Sequence, residues 1–145
     1  MGIGAAPPTP EVAVFNDAAY VDDDGEGQNV LDDLAAAGAN STVFTGVDEA
    51  SWSTAMATAD VLVLPENEDE DVDLDLPAAT QTAIAEWVAS GGRLIVMEPS
   101  NGSNLAVVNA VFGTSMSDTG DGACPCDIAN ETGTEFEGVP RHSTP

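Results

Sequence analysis

Apolar residues in this chain recur in two rhythms that alternate. Residues 11–15 (EVAVF) form a short β-branched apolar run closed by Asn16 and Asp17, the pattern of a buried strand. An acidic, glycine-containing loop follows. From Gln28 to Ala37 the apolar positions Val30, Leu31, Leu34 and Ala35 share one helical face, and Gly38 supplies a left-handed stop. Residues 41–45 (STVFT) predict a second strand. Asp48 is placed to cap a helix in which Trp52, Ala55, Met56 and Ala59 recur at helical spacing. Residues 61–64 (VLVL) are uniformly apolar, as in a strand covered on both faces. After a second acidic run, Pro77 suits a first helical turn, and Ile84, Trp87 and Val88 form an inward stripe up to Gly91 and Gly92. Residues 94–97 (LIVM) read as the next buried strand. Ser103 or Asn101 can cap a last helix, with Leu105, Val108, Val111 and Phe112 facing the core before Gly113 ends it.

Strand and helix thus alternate four times, and right-handed helical crossovers between parallel strands are the economical way to fold that pattern. The expected fold is an α/β, open, doubly wound parallel sheet of four strands in order 2-1-3-4, with helices on both faces. Residues 1–10, which include Pro7, Pro8 and Pro10, read as an extended linker, residues 11–113 as the domain, and residues 114–145 as an irregular polar segment or a truncated continuation. The linker-like opening, with neither a basic end nor an apolar core, leads to the expectation of a module belonging to a longer protein.

Composition changes the picture through charge. Against 26 Asp+Glu stand two Lys+Arg, Arg93 and Arg141, giving a formal net charge of −24 over 145 residues. With no lysine, the chain has almost nothing to neutralise a phosphate backbone, which excludes nucleic acid and anionic lipid as direct partners. No apolar run approaches the roughly 18 residues of a membrane span. Self-repulsion at this charge calls for screening by salt or cations, as in a halophilic or marine setting or a secreted protein kept soluble by acid.

The acid is also unevenly placed. The loops expected after strands one, three and four, residues 16–27, 65–77 and 98–104, hold 13 of the 26 acids. In open α/β sheets ligands bind beyond the carboxyl ends of the strands, where the strand order reverses. A cation is therefore the ligand that charge favours. Asp22, Asp24 and Glu26 alternate before Gly27 with Asp33 twelfth in the frame, a partial match to a calcium loop whose twelfth ligand is usually Glu. Glu66, at the end of the third strand, is a further oxygen donor. The bland reading of all four is a solvated acidic turn.

Catalytic motifs are sparse. Ser100, with Gly102 two residues on, sits on a strand-to-helix turn, but Glu98 occupies the position two residues before it, where a nucleophile elbow requires a small residue. His142, the sole histidine, would have to be its base. The alternative to a non-catalytic module is thus a hydrolase using Ser100, or a water activated by a metal on the acidic loops. Cys124 and Cys126 flank Pro125 and read first as thiols unpaired or partnered with a further segment, then as a strained disulfide, and last as a soft-metal pair.

The stretch from Asp60 to Met97 resembles domains of the class I glutamine amidotransferase-like superfamily. Asp60, the apolar run to Leu64, then Pro65 and Glu66 stand as in its strand-end motif. A helix containing Trp87 then leads through Gly91 and Gly92 into the next strand. The resemblance covers roughly residues 11–113 and implies a flavodoxin-like α/β fold. Family enzymes carry a cysteine nucleophile after the strand that here ends at Met97, where this chain has Glu98, Pro99, Ser100, Asn101 and Gly102. What the resemblance implies is therefore a non-catalytic relative, of the sort found as accessory modules in secreted or surface proteins, with other domains of its parent as partners and no cofactor beyond an optional calcium ion.

Overall fold

The computed structural model describes residues 9–22, 25–67, 69–97 and 103–117. Four parallel strands, β1 (Glu11–Phe15), β2 (Asn40–Phe44), β3 (Val61–Leu64) and β4 (Arg93–Val96), form one sheet in the order β2-β1-β3-β4. Helices α1 (Glu26–Ala36), α2 (Glu49–Met56), α4 (Ala78–Ala89) and α5 (Ser103–Phe112) alternate with the strands, and a single turn, α3 (Val72–Asp75), lies within the second acidic run. The doubly wound α/β order expected from the alternation is the order observed, and the chain reverses its direction of winding between β1 and β3. Among the described residues no helix is long and apolar enough to cross a membrane.

Alternation along each strand divides the interior into two layers of unequal size. Ala13 and Phe15 of β1, Leu62 and Leu64 of β3, and Leu94 and Val96 of β4 point to one face, where they meet Trp52 of α2, Ile84 of α4, and Val107 of α5. The residues between them, Val12, Val14, Val61 and Val63, point to the other face and meet Val30, Leu31 and Leu34 of α1 and, just beyond it, Ala39. β1 is buried from Val12 onward because it is flanked on both edges and covered on both faces.

Local chemistry accounts for the element ends. Asp48 caps α2 by accepting from the Ser51 amide at 3.1 Å and the Ser51 hydroxyl at 2.8 Å, and these bonds hold its exposed carboxyl below the usual range. At the end of α1, Gly38 adopts φ 74°, and the amides of Gly38 and Ala39 return to the carbonyls of Ala35 and Leu34. Asp60 accepts from the Glu11 amide at 3.0 Å and so fixes the register of β1 against β3 at the amino edge.

Three expectations need correction. β4 is an outer strand of the sheet, not a fully buried one: Ile95 is 51% exposed because its face lies beyond the reach of α1. In α5 the buried positions are Asn104, Val107 and Val111, whereas Leu105 and Val108 are half-buried and Phe112 is exposed, since the helix packs on α3 and α4 through a different stripe. In α1, Ala35 faces solvent rather than the sheet.

The contrast between the two faces is measurable. Ile84→Ala, at a fully buried position, should cost about 2–5 kcal/mol in urea denaturation. Ile95→Thr should stay within about 0.5 kcal/mol of the parent, and a large loss there would show that its face is covered.

Candidate functional site: the carboxyl edge of the sheet

The reversal between β1 and β3 brings the loops after these strands side by side, and aromatic packing supports them from below. Phe15, the last residue of β1, stacks on Trp52 with centroids 5.6 Å apart and meets Phe44, the last residue of β2, edge-on at 5.5 Å. Phe44 in turn lies edge-on to Trp52 at 5.1 Å, and Tyr20 of the β1 loop tilts against Phe15 at 5.9 Å. The Trp52 indole N–H donates to the Gly46 carbonyl at 3.1 Å, so the cluster also holds the β2 loop.

Above this floor the polar groups of the loops bond to one another. Asp17 accepts from the Ala19 amide at 3.0 Å and, with its other oxygen, from the Gly46 amide at 2.8 Å, joining the β1 and β2 loops. The Asp69 amide donates to the Tyr20 carbonyl, and the Tyr20 hydroxyl donates to Asp75 at 2.9 Å, joining the β1 loop to α3. Burial of the ring and the adjacent Asp75 carboxylate push the Tyr20 hydroxyl up to about 12. Asp73 is also raised, by burial and by Asp71.

A second knot closes the ends of β3 and β4. Asn104, fully buried at the start of α5, donates through one amide nitrogen to the carbonyls of Pro65 at 2.7 Å and of Met97. Its oxygen accepts from the buried Asn67 side chain at 2.5 Å. The Pro65 carbonyl of the strand-end motif is thus used to seat α5. Asn104 and Asn67 were not among the residues singled out from the sequence. The available signal was position: residues 104, 107 and 111 share one stripe, and an amide on it must find partners.

At the first turn of α1 the Asn16 side chain packs against Gly27. Here a doubly wound nucleotide binder receives a phosphate, over a first turn kept open by glycine. A β-carbon on Gly27 would stand 2.1 Å from the Asn16 side-chain oxygen, so the amide of Asn16 fills that space. The Asn16 oxygen is buried and has no hydrogen-bond partner among the described residues.

Of the expected ion ligands, Asp22 is exposed beside Gly25, Glu26 opens α1, and Glu66 follows β3, half-buried. Residues 26–36 are helical, so Glu26 and Asp33 stand about two turns apart along α1 instead of wrapping a loop. Among the described residues no group of three or more His, Cys, Asp or Glu side chains is placed to hold a metal. Asp24, Ser100, His142, Cys124 and Cys126 lie outside the described residues. Comparisons with protein-family models, curated proteins and solved structures give no match for this chain.

Two outcomes follow from the knots. Asn104→Ala, which removes the donor to the buried Pro65 carbonyl and to the Met97 carbonyl and one acceptor of the Asn67 amide, should lower stability by about 2–3 kcal/mol in chemical denaturation, and a loss below about 1 kcal/mol would show that the network is not structural. Tyr20 is the one tyrosine, so ultraviolet absorbance titrates it alone. Its folded pKa lies above the unfolded value, so its contribution is complete below about pH 10 and is lost as pH rises toward 12. The stability difference between the parent and Tyr20→Phe should shrink across that window.

Proposed function

We propose that the chain is a non-catalytic, amidotransferase-like module of a larger secreted or surface protein, with a structural or adhesive role. The single observation that carries this reading is how the described part of the carboxyl edge is engaged. At the position where this topology receives organic ligands, the Asn16 amide packs against Gly27 of α1, and Asp17, Tyr20 and Asn104 are engaged in bonds between loops. Among the described residues these groups serve the fold. The strand order and the strand-end motif from Asp60 to Glu66 support the amidotransferase-like part of the reading, and the sequence from Glu98 to Gly102, which has no cysteine, supports the non-catalytic part.

The acidic rim serves this module as a solvated, screened surface. Its carboxylates share one sign, and the helical stretch from Glu26 breaks the frame a calcium loop needs. Charge of this kind keeps a secreted module soluble and directs it toward cationic surroundings.

Thermal melting of the full chain tests the reading. Mononucleotides, flavin mononucleotide and sugar phosphates should leave Tm unchanged, whereas a ligand at 100 times its Kd would add roughly 2.7 kcal/mol. Calcium chloride should raise Tm no further than sodium chloride at matched ionic strength. A saturable shift with any organic phosphate, or hydrolysis of an ester panel abolished by Ser100→Ala, would overturn the module reading. A saturable excess with calcium would replace the screened rim by an ion site.

A further inference from the structure

Helices α2 and α4 lie side by side over the larger core layer, and an open groove of about 450 Å³ runs between them on the solvent side. Its two walls are helical stripes. Positions 49, 53, 56 and 57 of α2 face positions 83, 86, 87 and 90 of α4, spacings that put each set on one side of its helix. Ala57, Ala83 and Ser53 keep the walls low, so a polypeptide backbone can approach closely. The stripes span nine and eight residues, about 10–12 Å, the length of three or four residues of extended chain.

The chemistry of the groove is specific. Trp87 is half-buried, and its indole lies over Gly92, where an added β-carbon would come within 2.3 Å of the ring, so the ring is held in place by backbone. Glu86 adjoins it on the same helix and Glu49 stands on the opposite wall, both exposed. An indole held beside two carboxylates favours a cation carried on an apolar stem, whose charge pairs with a carboxylate while its methylenes lie along the exposed part of Trp87, Ala83 and Ala57. The chain contains no lysine, and its net charge of −24 repels a second copy of itself while drawing in a basic partner from a distance.

We infer that the α2–α4 groove is a docking surface for a short, extended, arginine-bearing segment of another protein. It stands on the outer side of the helical layer, apart from the loops after β1 and β3, and goes beyond the module reading by naming the chemistry of a partner.

The test is titration of the isotope-labelled full chain with a blocked pentapeptide carrying two alternating arginines, at physiological ionic strength. The two indole N–H signals serve as internal reporters, since Trp52 is buried and bonded to Gly46 whereas Trp87 lines the groove. The Trp87 signal should shift and saturate while that of Trp52 stays. The double variant Glu49→Gln, Glu86→Gln should weaken binding about tenfold, and the double variant Asp32→Asn, Asp33→Asn on α1, with the same loss of charge, should change it less than about twofold. A peptide with glutamates in place of the arginines should not bind. Absence of a saturable Trp87 shift would overturn the proposal. So would equal weakening by the two double variants, which would reduce the attraction to net charge alone. All four acids are exposed, so neither double variant is expected to disturb folding, and circular dichroism checks this.

Discussion

The ring of Phe15 is the contact on which the rest of this molecule depends. It ends the central strand, and through it the last residue of β2, the first helix of the larger layer and the loop after β1 are brought to one point. Because a parallel sheet has no hairpins, each of its strands is connected only through a helix, and nothing local fixes where the strand ends stand relative to one another. The aromatic cluster supplies that relation. The hydrogen bonds of Asp17, Tyr20 and Trp52 then lie over a rigid floor, and each joins two loops that the sequence separates.

This arrangement explains how a chain with so much acid folds around its most acidic region. Several of the carboxylates on the edge are hydrogen-bond acceptors for amides and a phenol: Asp17 takes two backbone N–H groups, Asp48 takes one with a hydroxyl, and Asp75 takes the Tyr20 hydroxyl. A carboxylate so engaged has part of its charge met by fixed dipoles. The amino ends of α1, α2 and α5 also point to this edge, as the crossover topology requires, and contribute partial positive charge where the acid gathers.

Much of the architecture was legible in the sequence because it rests on local chemistry. The strand order came from the alternation of strand and helix, the cap of α2 from Asp48, and the end of α1 from Gly38. What was not legible depended on position in the finished sheet. LIVM from Leu94 to Met97 is as apolar as VLVL from Val61 to Leu64, yet Ile95 is an exposed residue of an outer strand because no helix among the described residues covers it. Helix α5 is apolar almost all round, so spacing could not choose between the stripe of Leu105 and that of Val107. Val72 and Leu76, each isolated among acids, gave no periodic signal of α3, yet both are buried. At the site, the carboxylates were visible as residue types, but the closing groups were Asn16, Asn67 and Asn104, whose roles arise from contacts across the fold.

The two outer strands of the described sheet, β2 and β4, carry half-exposed apolar side chains at Val43 and Ile95 on short, otherwise unguarded edges. Edges of this kind add strands from other molecules when two copies can approach, and here mutual repulsion at −24 keeps copies apart. That guard is made of protons withheld. Toward the sequence isoelectric point of about 4.1 the carboxylates give up much of that charge while the edges stay as they are, so acidification weakens the barrier that charge sets against sheet-to-sheet addition.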